Sequence, residues 1–95
     1  MNLIPHTQIV EKEQIKFLKF PKEDVLNEKD AIINRSIDLS RALYLGNLER
    51  EKVRITFQDD GGLKRVETTI WGVTDKAVIL KKATIIPLAR IISVA

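Results

Sequence analysis

Few side chains in this sequence have the types and spacing for bond-making chemistry. His6 is the sole histidine and cysteine is absent. Neither a histidine-pair metal site nor a Ser-His-Asp triad can therefore form within one chain, and thiolate nucleophiles and disulfides are excluded. His6 sits in a polar N-terminal stretch and reads as solvated. Asp59-Asp60 would supply two carboxylates for acid/base work or a cation. Neighbouring turn residues seldom converge, however, and no EF-hand spacing follows, so with Gly61-Gly62 they read as a hairpin turn. The two glycines also lack the spacing, and the following Lys-Ser/Thr, of a phosphate-binding loop. No catalytic, metal or cofactor-binding residue is assigned, no cofactor is expected, and the chain is read as a non-enzyme.

Binding chemistry is what remains. The net charge is +3, and it comes wholly from the second half: residues 1–50 carry eight basic and eight acidic side chains, residues 51–95 eight basic and five acidic. The candidate binding surface is Lys52, Arg54, Lys64, Arg65, Trp71, Lys81 and Lys82. Lysines and arginines there would contact phosphates, and an aromatic on a basic sheet can stack a base or anchor a peptide. The competing reading of Trp71 places it under the helix, covered by Leu39 or Leu43, because large aromatics in small domains are mostly buried. Arg35, Arg41 and Arg50 are read as a solvated helix face.

These residues need elements to hold them. From Lys52 onward, short runs of alternating apolar and polar residues are separated by tight turns: Lys52–Gln58, Leu63–Thr74, Ala77–Lys81, Thr84–Pro87 and Ile91–Ala95. That count and spacing predict a compact five-stranded barrel over 52–95. Within the second run the apolar face changes parity after Trp71, which predicts a bulge or kink at Gly72. Upstream the period becomes helical. Ile32, Ser36, Leu39 and Leu43 form a seam flanked by Ile33, Ile37 and Tyr44, predicting a core-facing helix over 28–45 with Asn27 as N-cap and Gly46 as its stop. Residues 14–20 read as an extended edge segment guarded by Lys16 and Lys19, and residues 1–13 as a loose arm.

A helix followed by a bent five-stranded sheet with a one-turn link before the last strand resembles the Sm-like fold, which includes the Hfq-type RNA chaperones. It also looks like the small Rof family of transcription-terminator inhibitors. The residues that carry the likeness are Trp71-Gly72-Val73-Thr74-Asp75, Val78-Ile79-Leu80 and Ile86-Pro87-Leu88-Ala89-Arg90-Ile91. The resemblance implies an α+β fold: an N-terminal arm and one helix on a five-stranded antiparallel SH3-like/Sm-like barrel, with a general binding role. The base-contacting Asn of Sm-type sequences has no counterpart, since no Asn follows Asn47, and Pro87-Leu88-Ala89 stands where Hfq-type chains carry Tyr-Lys-His.

At 95 residues, 44% hydrophobic and 31% charged, the chain fits one ordered domain with its own core. Its start carries no basic flank and no sustained apolar run, so no secretory signal is read. The longest uncharged apolar run, Ile85 to Ala89, is far short of the ~20 residues of a membrane span. A soluble, cytoplasmic, membrane-independent binding module is expected. Its partner is read as a regulatory protein, as the Rof resemblance implies, with RNA or single-stranded nucleic acid as the alternative.

Overall fold

The computed structural model describes residues 6–95. In chain order it contains β1 (Gln8–Ile9), a 3-10 helix (Lys12–Phe17), α1 (Lys29–Tyr44) running on into a π turn (Leu45–Glu49), β2 (Val53–Asp59), β3 (Gly62–Thr68), β4 (Ile70–Val73), β5 (Ala77–Leu80), a short 3-10 turn (Lys81–Ala83), β6 (Thr84–Pro87), a second (Leu88–Arg90) and β7 (Ile91–Val94). Alternation decides the strands. Val53, Ile55 and Phe57 of β2 point inward and are buried, while Arg54 is exposed and Thr56 and Gln58 half-buried on the other face, as a two-residue period requires. The β2–β3 hairpin closes at Asp59↔Gly62, where Gly62 takes a φ of 132°, a conformation open to glycine alone at little cost.

The strands form two sheets, ordered β1-β3-β2-β7 and β4-β5-β6. The fold is α+β as expected, but it is not the single closed five-stranded barrel. Among the described residues there are seven strands, one of them (β1) parallel to its neighbour, and no ladder joins the outer edges of the two sheets. The run Leu63–Thr74, read as one bent strand, breaks at Thr69 into β3 and β4, which belong to different sheets. The β4–β5 register also slips between Ile70 and Gly72. The parity change at Gly72 is thus present with Trp71 as the bulged residue, but the larger redirection is one turn earlier. Inward residues of both sheets share one apolar cluster that includes Ile55, Phe57, Val66, Ile70, Val78, Leu80, Ile86 and Ile91.

α1 packs on β7 and β4. Its buried residues are Arg35, Leu39 and Ala42, with Gly46 buried in the π turn below them. The expected seam through Ile32 and Ser36 is therefore rotated: Ser36 is exposed, Ile32 and Leu43 are half-buried, and Ile33, Ile37 and Tyr44 face outward. The reason is close approach. A Cβ on Gly46 would collide with the Ile70 carbonyl oxygen and lie 3.1 Å from Thr69 Cγ2, so at this end of the helix the small residues Ala42 and Gly46 continue the contact line of Arg35 and Leu39. Gly46 is a packing glycine and not the helix stop; the chain leaves the helix at Arg50, which has a φ of 55°. The N-cap is Glu28, not Asn27.

The N-terminal segment differs most from expectation. Of the loose arm, residues 1–5 lie outside the described residues, but Gln8 and Ile9 pair with Lys64 and Arg65, and the Val10 N–H donates to the Arg65 carbonyl at 2.9 Å. Where an extended segment was expected, Lys12–Phe17 is a 3-10 helix, its entry held by the Glu11 N–H donating to Gln14 Oε1 at 2.8 Å. That contact is half of a capping box. Ile15 is fully buried and Phe20 lies 5.9 Å from the Phe57 ring, which explains the geometry: an extended chain would have left Ile15 on the wrong side of its turn.

Candidate binding groove

Trp71 is 51% exposed, so it is not covered by Leu39 or Leu43 as the packing argument anticipated. It lies on the face of β4 opposite the buried Ile70, and the Gly46 contact brings the π turn alongside. Between them lies a groove of about 570 Å³ lined by Gly46, Asn47, Arg50, Thr69, Trp71 and Lys81. Lys81 is placed by its own N–H, which donates to the Thr69 carbonyl at 3.1 Å. Arg50 is placed by its left-handed backbone. Both cations are exposed and no acidic side chain lines the groove. An indole and two cations lining one groove offer an apolar face for a ring or aliphatic side chain, and charge for a carboxylate or phosphate beside it.

The other expected surface residues do not converge on this place. Lys64 is buried. Its Nζ lies 2.9 Å from Asp59 Oδ1, which also accepts the Gly61 N–H at 2.9 Å. Burial pushes the Asp59 carboxyl up, but the Lys64 ammonium and the Gly61 N–H outweigh it and hold the group below the usual carboxylate range. Lys64 is therefore an internal counterion and not a phosphate contact. Asp59 is more than a turn residue, while Asp60 is exposed and its N–H donates to the Lys19 carbonyl at 2.8 Å. Arg54 faces Glu67 at 3.7 Å, and Arg65 Nε donates to Thr56 Oγ1 at 3.2 Å, both on the outward face of β2–β3. Lys52 and Lys82 are exposed.

Arg35 departs furthest from the solvated reading. Its two terminal nitrogens donate to Asp24 Oδ1 and Oδ2, each at 2.8 Å, and one also reaches the Ile91 carbonyl at 3.0 Å. The fork holds the Asp24 carboxyl below its ordinary range. Arg90, also buried, donates to the carbonyls of Gln58 at 2.9 Å and Glu23 at 2.6 Å. Together these arginines fasten residues 23–24 to the sheets, so they belong to the scaffold. Arg41 is exposed as expected.

Sequence reasoning missed Asn47 and Arg50 as groove residues. The signal was available only jointly: a glycine one residue before Asn47 and a tryptophan beside a parity change, which become neighbours once α1 and β4 touch. His6 is exposed, and among the described residues no group of three His, Cys, Asp or Glu side chains is placed to hold a metal ion. No described helix is long and apolar enough to cross a membrane. No protein-family model, curated protein or solved structure matches the chain.

Proposed function

We propose that this chain is a non-enzymatic binding module that takes a protein partner into the Trp71 groove, the partner being a regulatory protein as the Rof resemblance implies. The observation that carries the reading is the exposed indole that shares a groove with Arg50 and Lys81, with no acidic side chain among the described lining residues. It favours a short segment bearing an apolar or aromatic side chain next to a carboxylate. The nucleic-acid reading draws support from the same aromatic and cations. It loses three of its expected phosphate contacts, because Lys64 is internal, Arg54 has an acidic neighbour and Arg65 is hydrogen-bonded across the sheet.

Selection from a displayed random-peptide library, with counter-selection on Trp71→Ala, tests the proposal. Enriched peptides should combine acidic and apolar residues and shift the amides of Asn47, Arg50, Trp71 and Lys81. No enrichment over the Trp71→Ala control refutes the protein reading. A random single-stranded RNA that produces strong shifts at the basic positions, weakening as salt rises through counterion release, establishes the alternative.

A further inference from the structure

α1 carries a second apolar face that nothing among the described residues covers. Ile33, Ile37, Tyr44 and Leu48 are between 46% and 63% exposed. At 3.6 residues per turn, Ile33, Ile37 and Tyr44 fall within about 40° of one another and nearly opposite the buried Leu39 and Ala42. Leu48 continues the line in the π turn. Surface apolar residues scattered singly need no explanation, but a continuous stripe along a helix does.

The spacing of the stripe is palindromic. Its intervals are four, seven and four residues, centred between Ser40 and Arg41. A two-fold interface sets one patch against itself, so each residue must find its counterpart in reverse order. We propose that this face is a homodimer seam, in which the helices of two copies cross antiparallel at Ser40. Ile33 then meets the partner's Leu48 and Ile37 meets the partner's Tyr44. The two-fold axis then falls between Ser40 and Arg41, so the small, exposed Ser40 lies within a residue of the closest approach, and the exposed Arg41 beside it must keep its charge in water. The antiparallel sense also opposes the two helix dipoles.

The area agrees with a reversible dimer. The four side chains expose on the order of 450 Å² per copy, and two copies with their flanking residues approach the ~1,200 Å² of the smaller specific interfaces. The groove at Trp71 and the seam use different residues, so partner capture and self-association are separable.

Because the natural chain has no cysteine, single cysteines report the geometry cleanly. Under mild oxidation Ser40→Cys should give a disulfide-linked dimer. Ile33→Cys alone should stay uncrosslinked, and Ile33→Cys with Leu48→Cys should crosslink. In sedimentation equilibrium from low to high micromolar protein, the wild type should move from monomer to dimer. Ile37→Lys, on the solvent side and with an unchanged melting curve, should weaken association by at least about tenfold. A wild type that stays monomeric throughout, an Ile33→Cys chain that crosslinks by itself, or an Ile37→Lys protein that associates like wild type overturns the proposal. So does a monomer that uses the stripe to bind an unrelated protein.

Discussion

Replacing Lys64 with Ala tests whether the basic side chains of β3 face outward or inward. In the native chain the Lys64 ammonium lies 2.9 Å from an Asp59 carboxylate that is 4% exposed. Removing it leaves a buried anion whose remaining short contact is the Gly61 N–H. Breaking one side of a buried pair costs about 3–5 kcal/mol, and the surviving hydrogen bond puts this case at the lower end, about 3 kcal/mol. A chain of this length has roughly 5–14 kcal/mol in total, so the loss is large enough to read from urea denaturation followed by far-ultraviolet circular dichroism. Asp59→Asn combined with Lys64→Met should recover much of it, because the double change removes both charges. The gap between Lys64→Ala and wild type should narrow as pH falls and close only below the depressed folded-state value of the wild-type Asp59, where the carboxyl is protonated in both. A cost under about 0.5 kcal/mol, the usual effect at an exposed site, would refute the reasoning and return Lys64 to the list of surface cations.

Gly46→Ala would stabilise an ordinary exposed helix by up to about 1 kcal/mol. Here the added Cβ meets the Ile70 backbone, so we expect a net loss of roughly 1–2 kcal/mol in the same denaturation assay, with shifted amides at Asn47 and Trp71. Acid should unfold the protein through Asp24 and Asp59. Both have folded-state values held below their ordinary range, so their contribution is complete above the unfolded-state value near 4 and is lost as pH falls below it. The urea midpoint should stay flat from pH 7 to about 5 and drop below about 4; a decline beginning near pH 6 would contradict this assignment.

Most strand positions were legible because alternation is a local signal. Lys52–Gln58, Ala77–Lys81, Thr84–Pro87 and Ile91–Ala95 each lie within a residue of β2, β5, β6 and β7. The split at Thr69 was not legible, since threonine favours strands and nothing in its neighbours punctuates the run. Helix content was legible but helix rotation was not. Bulky apolar residues at 32, 33, 37 and 43 outvoted the small ones, while Arg35 looked polar until Asp24 and the Ile91 carbonyl were brought to it by tertiary contacts. The same holds for the groove. Trp71 and its place opposite Ile70 were visible in the sequence, but its neighbours were not, since Arg50 joins it only because Gly46 lets two backbones approach. The N-terminal 3-10 helix had a readable cue in Glu11-x-x-Gln14, overshadowed by the alternating Ile15, Lys16, Phe17 pattern.

The pairing of β1 with β3 has a consequence for how the molecule assembles. Gln8 must find Lys64, and the Asp60 N–H must find the Lys19 carbonyl, across 55 and 40 intervening positions respectively. Contacts so remote along the chain form late, after the hairpins that create their docking surface. On the ribosome the segment from Gln8 to Phe20 emerges ahead of every strand it will rest on. Until β3 and β6 exist, Ile15, Leu18 and Phe20 have no core to enter. The nascent chain thus passes through an interval in which its most apolar N-terminal residues are open to solvent and to other chains, the state in which chaperone contact or aggregation is decided. A segment synthesised before the strands it rests on is placed after them, and a folding variant that slows the β2–β3 hairpin lengthens that exposure even if the finished protein is equally stable.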